Sequence, residues 1–201
     1  MKKFNFSSFS FFKSFSRLNS INFYSGLEIA LLGYSNVGKS TLINVLSNKK
    51  KLSRVSKLPG STQLINCFKN DRNFKILDLP GYGYSSFIKS KKINWKKDIK
   101  HFFSFRKTLI GVIILIDIRF IIKKNDMDMI YFFYKKNIKM VILLNKCDKI
   151  NFSLRIKKYN LLINKLNFLN FLPKIIIFSS LKKIGLFELK KILINWYISN
   201  I

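Results

Sequence analysis

The sequence predicts an α/β fold with a mostly parallel sheet of six or seven strands and helices on both faces. Short runs rich in isoleucine, leucine and valine alternate along the chain with longer amphipathic segments. The runs are apolar almost throughout, as in strands that are buried on both faces. The predicted strands are 27–32, 64–68, 74–78, 109–117, 139–144 and 174–178, and the predicted helices are 39–47, 91–103, 126–136, 154–169 and 185–198.

Composition limits the class of protein. A chain of 201 residues with 48% hydrophobic content suits one domain, and its longest apolar run, 109–116, is too short to span a membrane. The net charge of +29 favours a polyanionic partner, although a bias toward A/T-rich codons would also enrich lysine. Cys67 and Cys147 match neither a disulfide framework nor a zinc pattern, which favours a reducing compartment.

The first 20 residues differ from the rest of the chain, being rich in phenylalanine, serine and lysine. Their partly alternating phenylalanines favour a first strand or a disordered basic tail over a transit peptide, for which the single Arg17 is thin support. We therefore divide the chain into a tail or first strand, 1–20, and one domain, 21–201.

A phosphate-binding loop follows the first of the predicted strands. Residues 33–40 read GYSNVGKS, and this pattern between a strand and a helix lets backbone N–H groups converge on one anion. Gly33 and Gly38 allow the tight turn, Lys39 reaches the β- and γ-phosphates, and the Ser40 hydroxyl is placed for Mg²⁺. The loop predicts binding of a nucleoside triphosphate.

Two further segments have residues suited to binding the phosphates and Mg²⁺. Asp78 ends a predicted strand and can hold Mg²⁺ through water, while Gly81 lets a backbone N–H approach the γ-phosphate. Between this motif and the loop, Thr62 is our choice for the mobile hydroxyl of a switch segment, with Ser61 as the alternative. Ordinary turns use the same residue types, so each segment gains its meaning from its order in the chain.

A guanine-binding motif closes the strand 139–144. The carboxylate of Asp148 can accept hydrogen bonds from N1–H and the 2-amino group of guanine, an edge that adenine does not present. Asn145 and Lys146 brace the base, and backbone N–H groups of Phe178, Ser179 and Ser180 can meet guanine O6. The predicted nucleotide is therefore GTP, and an adenine-specific enzyme is disfavoured.

Together these motifs resemble one family, the bacterial ribosome-assembly GTPases of the EngB type, also called YihA or YsxC. The likeness begins at Leu27 and rests on GYSNVGKS, PGSTQLIN, DLPGYGY, the strand end Asp117-Ile118-Arg119, NKCD and SSLKKIGLFEL.

The resemblance implies a P-loop GTPase fold, Mg²⁺-dependent binding of GTP and GDP, and action on the large ribosomal subunit or its precursor. It also implies a monomer in the cytoplasm, without membrane contact, and a link to cell division and septation. The implied catalytic residues are Asn36, Lys39, Thr62 and Gly81; Ser40 and Thr62 would bind Mg²⁺ directly, and Asp78 through water. The implied GTP-binding residues are Gly33, Tyr34, Ser35, Asn36, Val37, Gly38, Lys39, Ser40, Gly60, Ser61, Thr62, Gln63, Leu64, Asp78, Leu79, Pro80, Gly81, Asn145, Lys146, Cys147, Asp148, Phe178, Ser179 and Ser180.

The chain departs from the family pattern at four positions. Tyr34 and Ser61 stand where the family usually has arginine, so two fixed charges near the phosphates are absent. Asn145 and Cys147 replace its usual threonine and alanine and restore the commoner NKxD form. We expect slower turnover or weaker ribosome contacts from the two missing arginines.

Hydrolysis is expected to be slow, because Tyr82 stands where Ras-like enzymes carry the glutamine that orients the attacking water. Asn36 matches an asparagine that in related GTPases helps to hold K⁺ beside the phosphates, which predicts stimulation by K⁺. The lysine-rich segment 85–100 favours contact with ribosomal RNA over a merely solvated face. Within this segment, Trp95 fits either a contact with RNA or a place in the hydrophobic core. His101, just beyond the segment, is expected to be a surface or packing residue.

Two functions stay open. The leading one is a slow GTPase switch in assembly of the large subunit, and the alternative is an assembly factor controlled by GTP occupancy without hydrolysis. A GTPase acting on tRNA or small-subunit RNA is disfavoured, because such proteins usually carry an added domain.

Overall fold

A computed structural model of the chain describes residues 4–55, 64–81, 95–120 and 122–201. Within these residues seven strands form one sheet in the order β1-β3-β4-β2-β5-β6-β7. The strands are β1 (Ser10–Phe15), β2 (Leu27–Gly33), β3 (Ile65–Lys69), β4 (Phe74–Asp78), β5 (Leu109–Asp117), β6 (Met140–Asn145) and β7 (Lys174–Ile177). The helices are α1 (Lys39–Leu46), α2 (Trp95–Phe105), α3 (Lys124–Lys135), α4 (Phe152–Leu166) and α5 (Leu186–Ile198).

The sheet is mostly parallel, as the sequence predicts. β4, β2, β5, β6 and β7 run parallel, whereas β1 and β3 are antiparallel to their neighbours. β5 is the middle one of these five parallel strands, and its seven residues from Ile110 to Ile116 are all buried. Because the parallel strands share one direction, the residues that end β2, β4, β5 and β6 meet at one edge of the sheet.

Helices cover both faces of the sheet and explain why its parallel strands are mostly apolar. Leu42 on α1 and Leu193 on α5 belong to one buried cluster. Phe103 on α2, Phe133 on α3 and Leu166 on α4 belong to the cluster on the other face. Alternate residues of each strand enter alternate clusters, because successive strand side chains point to opposite faces. The predicted α/β class is confirmed.

The N-terminal segment differs in part from the alternating strand that its phenylalanines suggest. A 3₁₀ turn, Phe6–Ser8, comes first, with Asn5 Oδ1 accepting a hydrogen bond from Ser7 N at 2.9 Å, and β1 then pairs with β3. Phe4 lies 5.5 Å from Phe74 and 5.0 Å from Tyr197 on α5, ring centre to ring centre. Aromatic packing on α5, rather than strand pairing, therefore fixes the first phenylalanines.

Most predicted boundaries agree within two residues. α4 begins at Phe152, two residues before the predicted start, because Asn151 Oδ1 caps it by accepting a hydrogen bond from Leu154 N at 2.9 Å. Cys67 and Cys147 are both buried and unpaired in the part of the chain described. Of the helices described, none has the length and apolar character needed to cross a bilayer.

Candidate nucleotide-binding site

The loop between β2 and α1 is shaped by backbone conformations that favour glycine. Gly38 precedes α1 with φ of 109°, and a Cβ there would lie 2.4 Å from Asn145 Nδ2. Asn36 also adopts a left-handed conformation, with φ of 61°, and Val37 N donates a hydrogen bond to Tyr34 O at 3.3 Å. The loop therefore folds back on itself and lies directly against the end of β6.

Lys39 is buried within this loop. Its ammonium donates hydrogen bonds to the carbonyl oxygens of Gly33 and Tyr34, both at 3.3 Å. Burial lowers the pKa of Lys39, and the charge of Asp78 opposes that shift. A buried cation surrounded by backbone dipoles favours an anion in the loop.

Asp78 lies at the end of β4 with no solvent exposure. Its Oδ2 accepts a hydrogen bond from Ser40 Oγ at 3.3 Å, while within the described residues Oδ1 has no hydrogen-bond partner. Burial raises the pKa of Asp78 to about 6, against the opposing effects of Lys39 and Ser40. An orphaned carboxylate oxygen beside a serine hydroxyl is a donor set of the type that Mg²⁺ prefers, so these residues fit the ion.

The segment after β4 runs along the phosphate loop. Leu79 is buried, and its N–H donates to Leu31 O at 3.4 Å. A Cβ on Gly81 would lie 2.4 Å from Ser35 N, so this close approach requires glycine. Pro80 lies between them, half-buried. The DLPG segment thus contacts the phosphate-binding loop at its two ends, through Asp78 against Ser40 and Gly81 against Ser35.

Asn145 joins the guanine motif to the other two segments. Its Nδ2 donates to Val37 O at 2.8 Å. This bond is possible because Gly38 has no side chain and lets the loop lie against Asn145. Its Oδ1 accepts hydrogen bonds from Ser180 N at 3.1 Å and Ser180 Oγ at 3.2 Å. One buried side chain therefore fixes the phosphate loop, the end of β6 and the segment after β7.

Asp148 is oriented by the segment after β7. Its Oδ1 accepts a hydrogen bond from Ser179 Oγ at 2.5 Å, and Ser179 Oγ itself accepts one from Lys182 N at 3.0 Å. Beneath it, Cys147 N donates to Phe178 O at 3.0 Å, and both side chains are fully buried. The Ser179 hydroxyl therefore fixes the orientation of the Asp148 carboxylate.

Lys146 connects the guanine motif to the phosphate loop by a second route. Its ammonium donates to Asn36 O at 2.7 Å and forms an ion pair with Asp117 Oδ2 at 2.9 Å. Asp117 is absent from the site residues predicted from sequence. Its position at the end of a predicted strand was the feature of the sequence that pointed to the site. In the structure, parallel pairing of β5 with β6 sets it opposite Asn145.

The structure thus brings together the predicted residues of the phosphate loop, the DLPG segment, the guanine motif and the Ser179–Ser180 turn. Tyr34 packs near the beginning of α3, where Lys123 Nζ lies 4.4 Å from its ring centre. Leu64 is exposed and precedes β3. His101 is exposed, as predicted. Other predicted residues lie outside the described residues: Gly60, Ser61, Thr62, Gln63, Tyr82, residues 85–94 and the side chain of Trp95.

Known proteins are similar to this chain in sequence and in fold. Residues 28–146 match the family described as 50S ribosome-binding GTPase. The probable GTP-binding protein EngB of Buchnera aphidicola subsp. Schizaphis graminum is 44% identical over 194 residues, 96% of each chain. The Haemophilus influenzae protein of the same name (strain 86-028NP) is 38% identical over 195 residues, which cover 97% of this chain and 95% of that one.

A solved structure agrees with these matches. The crystal structure of a probable GTP-binding protein EngB superimposes with a TM-score of 0.66 at 26% identity, covering 86% of this chain and 99% of that one. This likeness confirms the predicted P-loop GTPase fold. The chain therefore belongs to the 50S ribosome-binding GTPases and, among them, to the EngB type.

Proposed function

We propose that the chain binds GTP and GDP with Mg²⁺ at this site and acts as a slow GTPase switch in assembly of the large ribosomal subunit. The observation that carries the nucleotide assignment is the side chain of Asn145 in the guanine motif, which bonds to Val37 of the phosphate loop at 2.8 Å and to Ser180 at 3.1 and 3.2 Å. That arrangement supports one ligand with phosphates at one end and guanine at the other.

Each part of the site has a proposed role. Lys39 and the loop from Gly33 to Ser40 hold the phosphates, and Asp148 reads the guanine edge. Ser40 and Thr62 bind Mg²⁺ directly and Asp78 through water; when bound, the ion neutralises charge on the β- and γ-phosphates. We propose that the remaining predicted contacts, Gly60 to Leu64 and Leu79 to Gly81, also contribute to GTP binding.

Nucleotide competition tests the base assignment. GTP and GDP should displace a fluorescent guanine nucleotide at least 10³-fold better than ATP, because a site that pairs with a polar base edge strongly rejects a base lacking it. ATP binding as tight as GTP binding would overturn the assignment.

Slow turnover is supported by Tyr82, which replaces the water-orienting glutamine of Ras-like enzymes. We propose that Asn36 helps K⁺ to compensate in part. Hydrolysis of GTP should therefore be faster in KCl than in NaCl at equal ionic strength, and equal rates would contradict the role of K⁺.

The proposed partner is the large ribosomal subunit or its precursor. The family name and the net charge of +29 support a contact with ribosomal RNA. We place the protein in the cytoplasm, where bacterial ribosomes are assembled, as a monomer with one domain, 21–201, preceded by a tail or first strand, 1–20. A link to cell division stays a prediction.

Depletion of the protein tests this partner. Sucrose-gradient profiles should show immature large subunits accumulating while small subunits mature normally. An unchanged profile after depletion would overturn the proposal.

The missing glutamine also favours a second function, an assembly factor controlled by GTP occupancy alone. Variants Thr62→Ala and Asp78→Asn, each assayed at a GTP concentration that saturates it, separate the two. The switch requires that lost hydrolysis also stops the release of mature subunits, whereas full assembly without hydrolysis would favour occupancy control.

A further inference from the structure

Asp117 lies where β5 ends, next to the guanine motif but outside the segments assigned to the nucleotide. It is register partner to Asn145 on β6, and Ile118 N donates to Asn145 O at 2.9 Å. This pairing continues the sheet past Asp117 and sets its carboxylate beside Lys146. The position of Asp117 is therefore defined by backbone bonds, independently of its charge.

The Asp117 carboxylate has two cationic partners. Oδ2 lies 2.9 Å from Lys146 Nζ and 2.8 Å from Arg119 Nη2, and Oδ1 accepts from Arg119 Nε at 2.9 Å. Arg119 is two residues away in the same turn, so its pairing is local. Lys146 directly follows β6, so within the described residues it is the partner that joins Asp117 to the rest of the site.

Lys146 also forms a hydrogen bond with the phosphate loop. Its ammonium is also 2.7 Å from Asn36 O, whose residue has a φ of 61° in the middle of the loop. A left-handed conformation is unfavourable for most residues with a Cβ, and asparagine tolerates it best. A bond to this carbonyl stabilises the conformation in which the loop presents its N–H groups.

We propose that Asp117 is a positioning residue for nucleotide binding: by holding the Lys146 ammonium against the Asn36 carbonyl, it keeps the phosphate loop in its binding conformation. This inference rests on the proposed nucleotide site. It assigns Asp117 to the phosphate end of the ligand, although the residue lies beside the guanine motif. Asp148, not Asp117, reads the base.

The first test is release of a fluorescent GDP analogue from the full-length protein. Asp117→Asn keeps the shape of the side chain and removes its charge, and should speed release about ten-fold, the effect of weakening one hydrogen bond between charged groups. Arg119→Ala removes the other partner of the same carboxylate and should change the rate less than about two-fold. Asp71→Asn, at the opposite edge of the sheet, controls for charge.

A double-mutant cycle tests the route through Lys146. In a Lys146→Met background, Asp117→Asn should have no further effect on GDP release, because the group it positions is absent. Additive effects of the two substitutions, or an Arg119→Ala effect equal to that of Asp117→Asn, would overturn the proposal.

Base discrimination separates this role from a disturbed guanine pocket. Inosine diphosphate lacks the 2-amino group that Asp148 reads, so the GDP to IDP affinity ratio should be unchanged in Asp117→Asn while both affinities fall. A reduced ratio would place Asp117 in base recognition and overturn the proposal. Failure of the wild-type protein to bind GDP would instead overturn the proposed function.

Discussion

The two ends of the nucleotide site differ in how their polar groups are satisfied. At the guanine end, Asp148 accepts a hydrogen bond from Ser179, and Asn145 uses both its amide atoms. At the phosphate end, Asp78 and Lys39 are buried and both have shifted pKa values, and Asp78 Oδ1 has no partner within the described residues. The polar groups at the guanine end are bonded to one another within the protein, whereas the phosphate end carries desolvated charge.

The difference indicates that the two ends have separate functions in nucleotide binding. A guanine pocket fixed by internal hydrogen bonds can select the base without reorganising. Buried charges that lack full compensation gain most from a bound ion or phosphate, so ligand binding stabilises that end. We therefore expect substitutions at the guanine end to change specificity, and those at the phosphate end to change stability and metal dependence.

The largest effect is expected at Asp148. Asp148→Asn should weaken GDP binding by about 10³ to 10⁴-fold, because the amide cannot accept both guanine donors. It should also gain affinity for xanthosine diphosphate, whose 2-oxo group the amide can donate to. Competition titrations against a fluorescent guanine nucleotide measure both, with Asp71→Asn as control. GDP affinity within ten-fold of wild type would show that the pocket does not read the base through Asp148.

Asp78 tests the phosphate end through pH. The pKa of Asp78 is about 6 in the folded protein against 3.8 ordinarily, so folding favours the protonated form. Without nucleotide, the free energy of unfolding should therefore fall as pH rises from about 4 to about 6. Asp78→Asn imitates the protonated group and should be more stable than wild type by about 3 kcal/mol at pH 7.5, with the two converging below pH 4.

Urea titrations across this pH range measure the difference, and Asp71→Asn again serves as control. The same Asp78→Asn variant should lose about ten-fold or more of the Mg²⁺-dependent part of GDP affinity. A variant that is less stable than wild type at pH 7.5, or that keeps its full Mg²⁺ dependence, would contradict this account of Asp78.

Ser179 should have a smaller effect at the guanine end. Ser179→Ala removes the hydroxyl that orients the Asp148 carboxylate and should weaken GDP binding about ten-fold, as expected for one hydrogen bond to a charged group. Ser180→Ala is a matched control, because Ser180 N still donates to Asn145 after its hydroxyl is lost. Equal effects of the two substitutions would show that orientation of Asp148 is not what matters.

The smallest effect concerns fragments of the ligand. Pyrophosphate with Mg²⁺ at about ten times its dissociation constant should raise the Tm of the nucleotide-free protein by about 3 to 6 °C, because it compensates the buried charges. Guanosine at the same concentration should raise it by less than half as much. Differential scanning fluorimetry measures both shifts. A larger shift with guanosine would reverse the comparison between the two ends.

Features that depend on residues close together in the sequence were predicted more accurately than features that depend on distant residues. The phosphate loop and NKCD consist of consecutive residues next to an apolar strand, so their place at the strand ends followed from periodicity alone. The start of α4 differed by two residues, because the cap at Asn151 outweighed the apolar pattern. The N-terminal alternation overstated the first strand, because packing on Tyr197 is a contact with the other end of the chain.

By itself, the sequence determined the α/β class, the four ordered motifs and the choice of guanine, since each depends on residue type and spacing along the chain. Tertiary structure alone decided which groups meet across strands. Gly38 approaches Asn145, and Asp117 reaches Asn36 through Lys146, only because β2, β5 and β6 are neighbours that end at one edge. The burial that raises the pKa of Asp78 likewise comes from the packed sheet. Desolvation and contacts between distant segments depend on the whole fold.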